Sequence, residues 1–318
     1  MTNKGTGERT EQITFAIGGD LPVRRIGYGA MRLTAAPDPA DGEPGAGHVW
    51  KPPTDRAAAA AVLRKAVGLG VNLIDTADSY MIGGGEELIA DALHPYADDL
   101  TIATKVGVVR PSATEWVPLG HPAYLRQQAE LSLRRLRVER LDLLQLHRLD
   151  DAYPLADQIG ALKQLRDEGK VRHIGLSEVG VEQLREAAAI TPIASVQNLY
   201  NLADRQHEAV VDYATEQGIA FLPFFPVAMG AHARAGGVVA EVAAELGATT
   251  AQTALAWLLR RSPVIVPIPG TTSVGHLEEN VRALEVELSD EQFARLSGVA
   301  EASAEESAKV SDEASGER

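Results

Sequence analysis

Four ionisable residues stand at or just past the ends of three short apolar runs. Asp75 ends the first run and Tyr80 follows it, Lys105 lies near the end of the second, and His147 ends the third. Short apolar runs of this kind are typical of buried strands. In a parallel barrel the carboxyl ends of the strands meet on one face, where the active site is built. The sequence therefore predicts that a carboxylate, a phenol, an ammonium and an imidazole share one pocket.

These four groups suit the reduction of a carbonyl by a hydride donor. The alkoxide that develops needs a proton from a group that is neutral at pH 7, and a tyrosine meets this need if a nearby cation lowers its pKa. Lys105 can be that cation, with Asp75 holding the ammonium in place. A neutral His147 can donate a hydrogen bond that orients the carbonyl oxygen.

Each residue alone also has a simpler interpretation. A strand-end aspartate such as Asp75 often caps the following helix, and an isolated Tyr80 is typical of a pocket rim. Lys105 can extend out of a strand end to solvent, and His147 alone is typical of a hydrogen-bonded core histidine. The catalytic hypothesis depends on all four residues falling at the same end of different strands.

Apolar runs alternate with amphipathic stretches along most of the chain, and this alternation predicts a (β/α)8 barrel. The predicted strands are Arg25–Leu33, Val71–Asp75, Leu100–Val106, Leu141–His147, Val171–Ser177, Ala194–Asn198, Ile219–Pro223 and Val264–Pro269. The predicted helices are Thr54–Leu69, Gly85–Leu93, Ala123–Leu136, Leu155–Glu168, Val181–Ala189, Asp204–Gln217 and Ala251–Arg260. A doubly wound sheet is the rival fold, but it opens with a glycine-rich strand-to-helix turn that the chain lacks.

Several additions surround this plan. Residues 13–23 predict an N-terminal hairpin across the barrel mouth, and a Pro- and Gly-rich insertion at 35–53 is expected to overhang the pocket. Extra helices are predicted at Gly237–Leu246 and Asp290–Leu296. The expected domain organisation is a flexible N-terminus at 1–10, the barrel at 11–298 and an acidic, disordered tail at 299–318.

Composition narrows the function classes. The net charge of −14 argues against a nucleic-acid surface, and no apolar stretch reaches the length of a membrane span. The absence of cysteine excludes disulfides and thiolate chemistry, and we predict no metal site. The N-terminus has no apolar signal region, so a cytoplasmic location is the expectation. Nothing in the sequence indicates an oligomeric state.

Seven segments together resemble the aldo-keto reductase superfamily, in order from about residue 11 to residue 298. They are Gly27–Arg32, Asp75–Tyr80, Thr104-Lys105, Leu144–His147, Gly175–Ser177, Val196–Asn201 and Ile268–Thr271 with Glu279-Asn280. The resemblance implies a nicotinamide-dependent barrel enzyme that reduces aldehydes or ketones. The family's catalytic tetrad falls on Asp75, Tyr80, Lys105 and His147, in the roles argued above.

The resemblance also implies a set of cofactor-binding residues. The positions beneath the nicotinamide ribose fall on Gly29, Ala30 and Met31, and Asp75 belongs to the same region. The carboxamide contacts fall on Ser177 and Gln197, and the stacked aromatic ring falls on Phe224. The phosphate and adenosine side falls on Gly270, Thr271, Thr272, His276, Glu279 and Asn280. The implied cofactor is NADPH.

The sequence departs from the family pattern at three positions. Glu178 stands where the family usually has Asn, and a carboxylate cannot donate hydrogen bonds to the carboxamide. Gly270 and His276 stand where many relatives have Lys and Arg, the cations that bind a 2′-phosphate. This leaves NADH open as an alternative cofactor.

Three functions follow as hypotheses. The first is NADPH-dependent reduction of a small-molecule carbonyl, such as a pyridoxal-like or other bulky aldehyde, with Tyr80 as the general acid. The second is Schiff-base aldol chemistry by Lys105. The third is a nicotinamide-binding regulatory protein without turnover.

Overall fold

A curled parallel sheet forms the centre of the molecule. The computed structural model describes residues 13–34, 49–227 and 237–300. The strands are β1 (Thr14–Ile17), β2 (Leu21–Arg24), β3 (Tyr28–Gly29), β4 (Leu73–Asp75), β5 (Thr101–Val106), β6 (Val108–Val109), β7 (Val117–Pro118), β8 (Leu141–Leu146), β9 (Val171–Ser177), β10 (Ile193–Gln197) and β11 (Ala220–Phe221). Seven of them pair in the order β11-β10-β9-β8-β5-β4-β3. All six pairings in this sheet are parallel, as the alternating sequence pattern predicts.

The eighth predicted strand is an irregular segment that closes the barrel. The amide of Phe221 donates to Val264 O (2.9 Å), and the amide of Val266 donates back to Phe221 O (2.8 Å). On the other side of this segment, the amide of Gly27, directly before β3, donates to Pro267 O (2.9 Å). Pro267 and Pro269 have no N–H, so this segment cannot form a regular ladder on both sides. The predicted (β/α)8 barrel is confirmed, with only a bridge in place of the Val264–Pro269 strand.

The first predicted strand is also shorter than expected. Within Arg25–Leu33 only Tyr28–Gly29 is regular strand, and a 3₁₀ turn at Ala30–Arg32 follows it at once. The turn leads the chain away from the sheet at the face where the strand ends meet. The first predicted strand therefore contributes its backbone to the site, rather than a row of strand side chains.

Helices cover the outside of the barrel. They are α1 (Arg56–Gly68), α2 (Gly84–Leu93), α3 (Pro122–Leu136), α4 (Leu155–Asp167), α5 (Val181–Ile190), α6 (Glu208–Gln217), α7 (Val238–Leu246), α8 (Thr250–Arg261), α9 (Val274–Arg282) and α10 (Asp290–Ser297). Several of them begin at a capping side chain: Asp55 accepts from the Ala58 amide (2.8 Å), and Thr249 and Ser289 form capping boxes. The two extra C-terminal helices, α7 and α10, are confirmed.

The N-terminal hairpin closes the bottom of the barrel. Strands β1 and β2 pair antiparallel, and Ile17, Leu21 and Val23 are buried together with apolar residues of β4, β5, β8, β10, β11 and the closing segment. This cluster fills the interior below the site. The hairpin therefore completes the core, as its position before the first predicted barrel strand indicates.

Other predicted segments lie largely outside the described residues. These are the N-terminus 1–10, the first part of the insertion at 35–48 and the tail from 301 to 318. The described end of the insertion does reach the site, because Val49 is fully buried and packs against Ala77 and Tyr80. No helix in the described ranges has the length and apolar character that a bilayer crossing requires.

Candidate active site

The four ionisable residues are brought together at the carboxyl end of the sheet. Asp75 is the last residue of β4, and Lys105 is the penultimate residue of β5. His147 follows β8 directly, and Tyr80 begins the 3₁₀ turn that leaves β4. All four are buried. The shared placement that the sequence predicts is therefore present in the structure.

Lys105 and Asp75 form a buried ion pair. The Lys105 Nζ lies 2.6 Å from Asp75 Oδ1 and also donates to Thr76 O at 2.9 Å. The two side chains are 1% and 3% exposed. Burial alone would lower the pKa of Lys105, but the Asp75 carboxylate and the Tyr80 oxygen outweigh it and raise the pKa. Lys105 is therefore charged at neutral pH.

Tyr80 lies against this ammonium, with its ring centre 5.3 Å from Lys105 Nζ. Burial raises the pKa of Tyr80 above its ordinary value, and the Lys105 charge opposes this. The direction of the lysine effect agrees with the sequence-based expectation, but burial outweighs it in the protein alone. The phenol is therefore neutral at pH 7 and carries a proton to donate.

His147 is neutral, and its ring has one hydrogen-bond partner among the described residues. Burial, together with the charges of Lys105, Arg148 and Arg110, lowers its pKa well below the ordinary value. Its Nδ1 lies 3.3 Å from Ser79 Oγ, which has no other hydrogen-bond acceptor among the described residues. A serine hydroxyl that donates to Nδ1 satisfies both groups. That arrangement leaves the ring proton on Nε2.

Two glutamines that donate to Asp75 link the ion pair to the neighbouring strands. Gln197 Nε2 donates to Asp75 Oδ2 at 2.8 Å, and Gln145 Nε2 donates to the same oxygen at 3.2 Å. Gln145 was not among the residues predicted from the sequence. The sequence did contain a signal for this residue, because a polar side chain inside the apolar run 141–146 is expected to need a buried hydrogen-bond partner.

Three rings meet edge-on above the ion pair. The Tyr80 ring lies 6.0 Å from His147 and 6.3 Å from Trp116, and Trp116 lies 6.0 Å from His147. The Arg110 guanidinium stacks on Trp116 at 3.8 Å. These contacts fix the positions of the phenol and the imidazole next to a flat apolar wall.

A cavity of about 870 Å³ opens above these residues. From the predicted set it is lined by Gly29, Met31, Asp75, Tyr80, His147, Ser177, Gln197, Phe224, Gly270, Thr271, Thr272, His276, Glu279 and Asn280. Ala30 is not among the lining residues, because it packs in the core behind the 3₁₀ turn. Lys105 is also absent from the lining and lies beneath Tyr80.

The cavity lining also includes residues that were not predicted from the sequence to lie at the site. Arg32 and Arg148 are the two cations among them. Arg148 directly follows His147 at the end of β8, so the strand-end criterion that selected the histidine could have selected it too. Arg32 is the last residue of the 3₁₀ turn after β3, and no sequence signal predicted that turn.

One end of the cavity lies between a close backbone approach and the start of a helix. The backbones at Gly29 and Gly270 approach so closely that a Cβ on Gly270 would lie 2.6 Å from Gly29 O. The Tyr28 hydroxyl donates to Thr271 O at 2.6 Å and holds this segment in place. Helix α9 then begins at its cap Ser273, and a helix N-terminus attracts anions. A cavity of this volume with a helix N-terminus in its lining is large enough for a dinucleotide.

The comparisons with known proteins decide the family. A model of the aldo/keto reductase family matches residues 25–301, most of the chain. The chain belongs to this family. An uncharacterised oxidoreductase of Schizosaccharomyces pombe is 47% identical over 278 residues, which cover 87% of each protein. A pyridoxine 4-dehydrogenase of Escherichia coli is 43% identical over 292 residues, covering 90% of this chain and 98% of that protein.

Solved structures agree with the family assignment. An aldo/keto reductase from Klebsiella pneumoniae in complex with NADP and acetate superimposes with a TM-score of 0.73 at 29% identity, covering 89% of this chain and 94% of the other. A thermostable aldo-keto reductase superimposes with a TM-score of 0.77 at 26% identity. The protein is therefore an oxidoreductase of the aldo/keto reductase family, and a second Klebsiella pneumoniae structure of 29% identity was solved in complex with NADPH.

Glu178, the departure beside the predicted carboxamide site, turns away from the cavity. Its backbone has a φ of 56°, and its Oε1 accepts a hydrogen bond from the Leu199 amide at 2.7 Å. The His207 Nε2 lies 3.9 Å from the same oxygen. The carboxylate is thus used to brace the start of the loop after β10.

Proposed function

We propose that this protein reduces an aldehyde or ketone to the alcohol with NADPH, with Tyr80 as the proton donor. When bound, NADPH supplies the hydride that adds to the carbonyl carbon. The single observation that carries the proposal is the neutral Tyr80 phenol beside the charged Lys105, which a buried carboxylate holds at 2.6 Å. The subtype is that of a carbonyl reductase.

Each member of the tetrad has one task in this proposal. The carbonyl oxygen binds between the Tyr80 hydroxyl and the Nε2–H of His147, both donors in the protonation states argued above. As negative charge develops on the oxygen, Tyr80 passes its proton to it and becomes a phenolate. The Lys105 ammonium stabilises that phenolate until solvent returns a proton, and Asp75 keeps the ammonium in place.

The remaining predicted residues would hold the cofactor. Ser177 and Gln197 lie at the nicotinamide end, with Phe224 as the stacked ring, and Gly29 and Met31 lie beneath the ribose. The residues from Gly270 to Asn280 surround the phosphate and adenine end. The approach of Gly29 to Gly270 and the start of α9 support this assignment.

A pyridoxal-like aldehyde is the substrate class that we infer. The 43% identical relative is named for pyridoxine oxidation, and reduction of pyridoxal is the reverse reaction. The cavity supports a flat substrate, because the Trp116 wall and the Phe224 and Phe225 rings face its interior. Apolar walls with a few converging polar groups are typical of such sites.

A carbonyl panel tests the proposal. Pyridoxal and a set of aromatic and aliphatic aldehydes and ketones are incubated with NADPH, and alcohol formation is measured together with NADPH oxidation. We expect turnover that is highest for a planar aromatic aldehyde. Tight NADPH binding without alcohol from any carbonyl would support the regulatory alternative instead. Substrate trapped on Lys105 by borohydride without nicotinamide would support the aldolase alternative.

A further inference from the structure

The nicotinamide end of the cavity has one acceptor already oriented. Gln197 Nε2 donates to Asp75 Oδ2 at 2.8 Å and reaches Gln145 Oε1 at 3.4 Å. Its own Oε1 receives no hydrogen bond from the described residues, so it is the amide atom left for a ligand. Gln197 pairs in register with Ser177 on the neighbouring strand. An acceptor and a hydroxyl thus stand side by side in the wall of the cavity.

A carboxamide needs one acceptor for its NH2 group and one donor for its oxygen. Residue 178 does not supply the donor, because its side chain is a carboxylate and is occupied by the Leu199 amide. The Ser177 hydroxyl can serve, but a hydroxyl rotates freely and accepts as readily as it donates. A neighbouring group must therefore fix the direction in which the hydroxyl hydrogen points.

Arg148 is placed to orient the Ser177 hydroxyl. Its Nη1 donates to Ser177 Oγ at 3.1 Å and to His147 O at 2.6 Å. The second contact anchors the guanidinium to the backbone of β8, next to the site. Because Ser177 Oγ accepts from Arg148, its own hydrogen is left to donate to a ligand. The Nε and Nη2 of Arg148 make no hydrogen bond among the described residues, and the side chain lines the cavity.

We propose that Arg148 is a nicotinamide-positioning residue in this protein. It holds the Ser177 hydroxyl as a donor to the carboxamide oxygen, while Gln197 Oε1 accepts from the carboxamide NH2. The ring orientation that presents the hydride to the carbonyl would then depend on a cation from β8 rather than on residue 178. The inference rests on the proposed function only in taking NADPH as the hydride carrier.

Direct binding tests the inference apart from turnover. Dissociation constants are measured for NADPH and for 2′-phospho-ADP-ribose, which lacks the nicotinamide, against the wild type and Arg148→Met. We expect Arg148→Met to weaken NADPH about tenfold, the value of the one hydrogen bond from Ser177 to the carboxamide, and to leave 2′-phospho-ADP-ribose unchanged. An equal loss for both ligands, or no loss for NADPH, would overturn the inference.

Three further variants separate positioning from a structural effect. Arg148→Lys keeps the charge and a donor and should recover part of the NADPH affinity. Ser177→Ala should weaken NADPH by a similar factor, and adding Arg148→Met to it should cause little further loss because the two residues act as a unit. Glu178→Gln keeps an acceptor for the Leu199 amide and should not change the affinity. A Glu178→Gln protein that binds NADPH more tightly would place the contact at residue 178 and contradict the inference.

The outcome is independent of the substrate assignment. If no carbonyl is reduced but NADPH binding still depends on Arg148, the proposed function fails and this inference stands. If carbonyls are reduced and Arg148→Met binds NADPH like the wild type, the inference fails and the proposed function stands.

Discussion

The buried ion pair makes a strong prediction about stability. With Lys105 Nζ 2.6 Å from Asp75 Oδ1, an effective dielectric constant of about 20 gives a gross attraction of about 6 kcal/mol. Desolvation of the two charges cancels much of this, but removal of one partner leaves the other charge buried and uncompensated. That loss typically costs about 3–5 kcal/mol. We therefore expect Asp75→Asn and Lys105→Met each to lower the free energy of unfolding by that amount.

The structure adds a reason why Asp75→Asn is severe. The Asp75 carboxylate accepts from Lys105, Gln145 and Gln197, three donors arranged around two oxygens. An asparagine has only one oxygen, so its NH2 group must face at least one of these donors. The double variant Asp75→Asn with Lys105→Met removes both charges together. Its loss should be smaller than the sum of the two single losses by at least about 1 kcal/mol.

Urea unfolding at pH 7.5, followed by tryptophan fluorescence, measures all three variants. Glu168→Gln is the control, because it removes the carboxylate from two surface ion pairs, with Arg126 at 2.7 Å and with Lys170 at 3.1 Å, and should change the unfolding midpoint little. The raised pKa of Lys105 means that its stabilisation is complete below the ordinary lysine pKa and is lost only as pH rises through the folded value. Strictly additive losses, or single losses no larger than that of the control, would refute this account.

Three further predictions concern single residues. Ser79→Ala should release the His147 tautomer, so the ¹⁵N shift of Nδ1 should move towards that of a protonated nitrogen and turnover should fall several-fold; unchanged shifts would argue against the bond. Arg32→Met should weaken NADPH about tenfold, and an equal loss for NADH would assign Arg32 to the pyrophosphate rather than to the 2′-phosphate; unchanged binding would exclude a phosphate contact. Burial raises the pKa of Asp78 well above its ordinary value, so the unfolded carboxyl ionises above about pH 4 while the native one stays protonated, and native stability falls across that window. Asp78→Asn should therefore gain stability relative to the wild type between pH 4 and 7.5, and an equal difference at both values would contradict the assignment.

The sequence predicted the barrel because its apolar runs and helices alternate without interruption. The sequence did not predict how the first and last strand segments of the barrel pair with each other to close it. Pro267 and Pro269 remove backbone donors from the closing segment, and the 3₁₀ turn at Ala30–Arg32 ends the first strand early. A run of apolar residues does not reveal whether its backbone groups all find partners. The fold was therefore predictable at the level of elements, and the closure was not.

The candidate site was predictable where residues lie on strand ends. Asp75, Lys105 and His147 were found because a charged residue at the end of an apolar run is conspicuous. Gln145 was missed because it lies inside a run, and Arg148 because it lies one residue beyond the predicted strand Leu141–His147. The net pKa of Tyr80 was not predictable, since it depends on how completely the surrounding chain buries the ring.

The proton donor is the central claim, and single-turnover hydride transfer tests it most directly. NADPH oxidation is followed by stopped flow with the best carbonyl of the panel, in the wild type, in Tyr80→Phe and in the control Tyr213→Phe, whose ring lies on α6 against Arg185. We predict that Tyr80→Phe slows hydride transfer by about 10²–10⁴-fold, the contribution typical of a general acid, with NADPH affinity unchanged. The Tyr213→Phe protein should match the wild type. A Tyr80→Phe protein that transfers hydride within threefold of the wild-type rate would contradict the account.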